Sequence, residues 1–361
     1  MEKRVVNFSS GPAVLPLSVL QEAQRDLVCL PGVGASILEI SHRSKEFEAI
    51  LAQTEANLRT LLAIPSNYKV LFIQGGSRLQ FTMIPKNLLQ PGQSADYIVT
   101  GSWSKMAYDE ALREGSMHVS YNGKGTNFDR LPEAGQIELD PNAGYAYVCS
   151  NETIQGVQFA AEPNVGNVPL VCDSSSDFLH RPLDISKYGV LYACAQKNAG
   201  PSGVTIVIIR EDLLNRSCDK LPTMLNYQSY AKENSMPNTP PTFAIYLVNL
   251  VTKWLLNEVG GLDKMHDLNR RKAKLLYDVI DSSNGFYRGH AQPNCRSLMN
   301  VTFRLADEAL EKEFITKSEA RGLMSLKGHR SVGGFRASIY NAMPLEGVQS
   351  LADFMREFAK R

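Results

Sequence analysis

An excess of charge of either sign is what this chain lacks first. Lysine and arginine number 38 against 37 aspartate and glutamate, a formal net charge of +1 over 361 residues, with no long block of one sign. Nucleic acid and anionic membrane attract proteins through single-sign fields, so both are poor candidate partners. Long apolar runs are missing as well. Nothing approaches the length of a membrane span, and the start, Met1-Glu-Lys-Arg-Val-Val-Asn-Phe8, lacks the apolar core of a signal peptide. Cysteine is sparse: the six residues at 29, 149, 172, 194, 218 and 295 form no Cys-x-x-Cys pair. That argues against a disulfide framework and for reduced core thiols in a cytoplasmic protein. Metal-ligand spacing and a Gly-x-Ser-x-Gly elbow are both missing, so no metal is expected.

What is present is 43% hydrophobic content, enough for a sizeable core and more than one domain. From about residue 69 to 210, apolar runs alternate with turns and helical patterns, the rhythm of an α/β fold with a mostly parallel sheet flanked by helices. Strands are predicted at 69–74, 96–100, 143–149 and 168–172, with helices reaching 89 and over 105–114. A hairpin is predicted from 188–196 and 204–209. Residues 242–259 read as an amphipathic helix introduced by Pro240-Pro241 and stopped by Gly260-Gly261. A second long helix follows over 263–281. Beyond it come a strand at 298–304 and helices at 310–321 and 345–358, which place a domain boundary near Gly260.

Open parallel sheets bind ligands beyond the carboxyl ends of their strands, and polar motifs stand at several such ends here. Lys197 interrupts two charge-free strands, so its amine is expected to be desolvated and lowered in pKa, as a Schiff-base lysine requires; a solvated lysine on a turn is the plainer alternative. Gly75-Gly76-Ser77 suits a phosphate cradle at a helix start, or an ordinary turn. Trp103, in a polar Gly-Ser-Trp-Ser loop, could stack on a flat ring or anchor the loop. Asp173 could pair with a protonated pyridine nitrogen or cap a helix. Thr153 carries the same choice between a ring hydroxyl and a cap. His42-Arg43, His329-Arg330 and Arg336 supply donors for a substrate bearing both carboxylate and phosphate, or make surface ion pairs.

Together these residues resemble the phosphoserine aminotransferases, a family of the class V, fold-type I pyridoxal-phosphate enzymes. The resemblance runs over essentially the whole chain. It begins at Asn7-Phe-Ser-Ser-Gly-Pro-Ala13, Ile40-Ser-His-Arg-Ser-Lys-Glu-Phe47 and Phe72-Ile-Gln-Gly-Gly-Ser77. It continues at Thr100-Gly-Ser-Trp-Ser104, Ser150-Asn-Glu-Thr-Ile154 and Ala193-Cys-Ala-Gln-Lys-Asn198. It closes at Asn238-Thr-Pro-Pro-Thr242, Met299-Asn-Val-Thr-Phe303 and Gly328-His-Arg-Ser-Val-Gly-Gly-Phe-Arg-Ala-Ser338.

The resemblance implies a pyridoxal 5'-phosphate enzyme with a seven-stranded-type sheet. Its parts would be an N-terminal segment at 1–15 lining the active site, a large cofactor-binding domain at 16–260 and a small α/β domain at 261–361. Lys197 would form the Schiff base, Trp103 would stack on the ring, Asp173 would pair with its nitrogen, and Thr153 would sit near its hydroxyl. Ser77, Arg78 and Gln196 would hold the cofactor phosphate, with Asn238 and Thr239 contributed by the other subunit of a homodimer. His42, Arg43, His329 and Arg330 would face the substrate phosphate, Arg336 its α-carboxylate, and Ser9 would line the pocket. The implied reaction moves an amino group between L-glutamate and 3-phosphohydroxypyruvate in serine biosynthesis. Some members extend to 3-hydroxy-2-oxo-4-phosphobutanoate in pyridoxine biosynthesis. Where many relatives read Gly-Gly-Ala-Ser or Gly-Gly-Gly-Arg, this chain has Gly75-Gly76-Ser77-Arg78. Two other readings stay open: a class V enzyme acting on a non-phosphorylated amino acid, for which Cys295 is the one cysteine in a polar setting, and a non-catalytic α/β binding protein.

Overall fold

Uncharged runs rich in valine and isoleucine are costly to leave in water. In the computed structural model, which describes residues 4–133, 135–217 and 220–360, they lie side by side in one sheet. The chain opens with a two-residue strand, β1 (Val6–Asn7), then α1 (Leu17–Val28) and α2 (Lys45–Leu62). α2 begins where Ser44 Oγ accepts the Phe47 N–H at 3.2 Å and where Glu46 and Glu48 face the positive end of the helix dipole.

The alternating part follows as β2 (Tyr68–Gln74), α3 (Ser77–Leu88), β3 (Ser94–Val99), α4 (Ser102–Ala111), β4 (Ser116–Asn122) and β5 (Ala146–Cys149). A short hairpin, β6 (Asn151–Glu152) and β7 (Val157–Gln158), precedes β8 (Leu170–Asp173), β9 (Val190–Cys194) and β10 (Val204–Arg210). Two short helices, α5 (Glu211–Leu214) and α6 (Tyr227–Lys232), lead to α7 (Thr242–Trp254). The helix expected to run to Val259 does so, its last turn a π-turn over Leu255–Val259, stopped by Gly260 in the left-handed region. Then come α8 (Leu262–Asp281), β11 (Tyr287–Gly289), β12 (Asn300–Leu305), α9 (Glu311–Ala320), β13 (Leu323–Met324), β14 (Phe335–Ser338) and α10 (Leu345–Phe358).

The main sheet has seven strands in the order β2-β10-β9-β8-β5-β3-β4, parallel except for β10, which runs against both β2 and β9. Both faces are covered. Val70, Phe72, Leu191 and Ile206 point into one core, while Leu71, Ile73, Val190 and Val207 point into the other. Burial on both sides is why these strands read as continuous apolar runs rather than as alternation.

A separate core forms where α8 and α10 pack on the antiparallel sheet β11-β12-β14. α8 buries Leu262, Met265, Asn269, Lys272, Ala273 and Leu276 at helical spacing. The start of the chain is tied to this unit, because β1 pairs with β13 and Phe8 is buried in its core.

The topology has one consequence for chemistry. β2, β3, β5, β8 and β9 run in the same direction, so their carboxyl ends open along one edge of the sheet. Asp173 ends β8, and the turn between β9 and β10 carries Lys197.

Candidate active site

A cavity of about 280 Å³ lies at that edge, close to the lower bound of about 300 Å³ for small-molecule sites. Ser77, Arg78, Trp103, Asp173, Gln196 and Lys197 all line it. Lys197 Nζ donates to Thr153 Oγ1 at 2.7 Å and stands 4.8 Å from the centre of the Trp103 ring. Thr153 is therefore neither a helix cap nor free: it is the partner of the lysine.

Lys197 corrects one expectation. Burial does oppose its charge, but the surrounding Tyr340, Cys194, Asp173 and Cys149 outweigh burial and raise the amine above its ordinary value. Local sequence shows the apolar strands that desolvate the lysine; it does not show a carboxylate folded in from β8.

Asp173 is 3% exposed. Its Oδ1 accepts the Ser175 N–H at 2.9 Å and its Oδ2 accepts the Tyr192 hydroxyl at 3.0 Å. Both donors are uncharged, and burial pushes the carboxyl above its usual range. A buried carboxylate so placed gains from a nearby cation such as a protonated ring nitrogen. The capping alternative finds no helix after it, only a turn.

Trp103 is placed by Glu152. The buried Glu152 carboxylate accepts the N–H groups of Trp103 at 2.8 Å and Ser104 at 2.9 Å, and the Ser104 hydroxyl at 2.6 Å. It thus satisfies the start of α4, which begins three residues earlier than predicted. Burial raises the Glu152 carboxyl, against the pull of those three donors. The indole Nε1 is buried without a partner.

At α3, no side chain caps the first turn, and Gly75 takes a φ of +102° that a larger residue adopts only with strain. Ser77 Oγ is 2.7 Å from Ser175 Oγ, and Ser175 Oγ also accepts the Cys194 N–H at 3.1 Å. One serine hydroxyl therefore joins α3, the turn after β8 and the end of β9. Helix starts left open in this way bind phosphate well. The donors and acceptors present fit pyridoxal phosphate at both ends, carboxylate for the ring nitrogen and helix start for the phosphate.

The remaining predicted residues lie elsewhere. Arg336, on β14, donates to Ser10 Oγ at 2.7 Å, and Tyr340 donates to the Ser10 carbonyl at 2.8 Å. Ser9 Oγ accepts the Gly11 N–H at 3.4 Å in the same segment, which passes beside Lys197 at Gly11. His42, Arg43, His329 and Arg330 do not line the Lys197 cavity, nor do Asn238 and Thr239. Arg43 Nε contacts His42 Nε2 at 3.4 Å, His329 Nδ1 meets Ser331 Oγ at 2.7 Å, and Asn238 donates to Gln74 Oε1 at 3.2 Å. Among the described residues, Arg43, Arg330 and Arg336 have no acidic partner.

Ser175, Tyr192, Glu152, Ser10 and Tyr340 escaped sequence reasoning. The acidic residue inside the apolar neighbourhood of Ser150-Asn-Glu-Thr153 was the one usable signal. Cys295 proves to be 4% exposed, with its thiol raised by burial, which makes it a poor nucleophile. Cys218 lies outside the described residues.

The seven-stranded sheet with a lysine, a buried carboxylate and an open helix start at one edge defines an α/β enzyme of the pyridoxal-phosphate-binding kind. The sequence pattern of the family described as Aminotransferase class-V matches residues 5–351, and the chain belongs to that family. It is 55% identical over 361 residues to the phosphoserine aminotransferase of Rhodopirellula baltica, covering 99% of this chain and 96% of that protein. It is 53% identical to that of Niallia circulans, covering 100% and 99%. Among solved structures, the phosphoserine aminotransferase from Bacillus circulans subsp. alkalophilus superposes with a TM-score of 0.97 at 53% identity, covering 99% of each chain. The pyridoxal-phosphate-bound phosphoserine aminotransferase from Trichomonas vaginalis gives 0.93 at 41%, covering 98% of this chain and 100% of that one.

Proposed function

We propose that this chain is a pyridoxal-phosphate-dependent phosphoserine transaminase. It moves an amino group between L-glutamate and 3-phosphohydroxypyruvate, giving 2-oxoglutarate and O-phospho-L-serine in serine biosynthesis. The observation that carries this reading is the set of Lys197, Trp103 and Asp173 around one cavity, with Thr153 bonded to the lysine, in a chain more than half identical to a curated phosphoserine aminotransferase.

Pyridoxal phosphate, when bound, supplies a ring that takes up the negative charge developing at a substrate Cα. Lys197 would hold it, Trp103 would cover the ring, Asp173 would pair with the ring nitrogen and Thr153 would serve the ring hydroxyl. The first turn of α3, with Ser77, Arg78 and Gln196, would take the phosphate. Lys197 Nζ is the group that removes the proton from the substrate Cα, and the same amine returns a proton in the reverse direction.

Substrate choice rests on arginine. A phosphate monoester carries about −1.5 to −2 charge near pH 7 and needs several fixed donors. Arg43 and Arg330, unpaired with acid, serve it with His42 and His329. Arg336, held by neutral Ser10, takes the α-carboxylate, and Ser9 lines the pocket beside it. The active form is a homodimer in which Asn238 and Thr239 reach the partner's cofactor phosphate.

An absorption spectrum of the purified protein tests this. The expected result is a visible band that responds to O-phosphoserine and not to L-alanine. An equal response to both would overturn the substrate, and the lack of any band after adding pyridoxal phosphate would overturn the cofactor site.

A further inference from the structure

A second cavity, of about 240 Å³, lies where the loop after β8 meets α8 and the turn before β12. His180, Arg181, His266, Arg270, Asn294 and Arg296 line it, and no carboxylate is among its lining residues. Glu162 and Asp281 hold Arg181 at 3.2 Å and Arg296 at 2.7 Å from outside the wall. Arg270 has no acidic partner among the described residues. Among the described residues, Nε of Arg181, Nε of Arg296 and Nδ1 of His266 are buried without a hydrogen-bond partner. Such groups are costly to leave unmatched.

The histidines register the same imbalance. His180 is 3% exposed and its ring lies 5.9 Å from that of His266, edge to face. Burial, then Arg181 and His266, push His180 down to about 3. Burial, then Arg270 and Arg181, lower His266, against a smaller opposing effect of Asp267 and Asp263. Burial first, and the neighbouring arginines second, disfavour the charged form of both imidazoles.

We propose that this cavity is a second oxyanion site, separate from the one at Lys197, and that it takes a phosphate-sized dianion. Arginine forks bind such oxyanions in bidentate fashion, and Arg270, with no acidic partner among the described residues, is the donor on the wall free to meet a dianion. The site is joined to the active centre by a short stretch of chain. Residues 174–181 run from Asp173 to Arg181, and on the way Asn198, next to Lys197, donates to the Phe178 carbonyl at 2.7 Å. Asn269, on α8, donates to the His180 carbonyl at 3.3 Å.

The six histidines make ring NMR on the holoenzyme a local probe. Signals are assigned with His266→Gln, and inorganic phosphate is titrated into wild type, Arg270→Glu and Arg270→Lys. The expected result is a saturable shift of the His266 and His180 rings, with His266 gaining its proton at higher pH once phosphate is bound. Arg270→Glu should weaken this response by roughly tenfold or more, the fold-change of one charge-assisted contact. Arg270→Lys should weaken it less, and turnover in phosphate-free buffer should be unchanged in both. Unmoved His266 and His180 signals would overturn the proposal, as would a shift that does not saturate or is the same in Arg270→Glu.

Discussion

Two buried lysines face opposite electrostatic problems. Lys197 has Tyr340, Cys194 and the Asp173 carboxylate around it and is raised despite burial. Lys272, on α8, donates to the carbonyls of Tyr340 at 2.7 Å and Asn341 at 3.3 Å; dipoles replace full charges there, and burial lowers it to about 7. The sign of the linkage follows. Between about 7 and its ordinary 10.5, the unfolded chain holds a proton on Lys272 that the folded chain does not. Stability should therefore rise with pH across that window, and below it the whole cost of the buried ammonium is present. The difference in thermal midpoint between wild type and Lys272→Met should grow in favour of wild type over this range. Parallel curves would place the proton elsewhere. Lys197→Ala should keep its far-ultraviolet spectrum and lose at least roughly 10²–10⁴ in turnover, the usual worth of a positioned base. Stopped-flow assays beside circular dichroism would check both halves. At this scale the sequence made Lys197, Asp173 and Trp103 legible because each breaks the character of its surroundings. The sign of the Lys197 shift and the roles of Ser175 and Tyr192 were not legible, since they depend on groups brought from other strands.

α4 shows how an element can serve one side chain. Its first turn carries Trp103, and its free N–H groups are closed by Glu152, 49 residues away from Trp103 in sequence. Gly101 makes room for that carboxylate: a Cβ there would run into the Glu152 carboxyl. Gly101→Ala should displace Glu152, loosen the start of α4 and cost about 1–3 kcal/mol, the usual range for overpacking a filled site. Cofactor affinity should fall with it, because the indole moves. Thermal unfolding with a cofactor titration measures both, and an unchanged pair of values would show that the carboxylate has another place to go. Elements buried on both faces, such as β9 and β10, and helices with a long apolar face, such as α8 and α10, were legible from pattern alone. β4 was not, since it lies at the sheet edge with nearly all of its residues exposed or half exposed. The start of α4 was misplaced for a related reason: its cap comes from a distant acid rather than from the serine or aspartate that local reading looks for.

At the scale of the whole molecule, the crossover from β8 to β9 matters most. It lays the two strands side by side in parallel, which brings Lys197 to Asp173 although the turn after β9 lies more than 20 residues beyond that carboxylate. Apolar runs foretold a sheet, but strand order is set by crossovers that leave no periodicity to read. The same limit applies to Asn238 and Thr239. Both are exposed, just ahead of α7, and Asn238 donates to Gln74 of its own chain, at the end of β2. A helix start with no side-chain cap gains from an anion, and in the proposed dimer that anion is the partner's cofactor phosphate. Mixing two defective chains decides the matter. Lys197→Ala and the double variant Asn238→Ala with Thr239→Ala are each impaired alone. If these two residues serve the partner, a dimer of one chain of each kind rebuilds one intact site of its two, about half the activity of a wild-type dimer. Unfolding and refolding the two variants together should then give activity well above the sum of the parts. If they serve their own chain, both sites stay defective on one count or the other, and the mixture is merely additive.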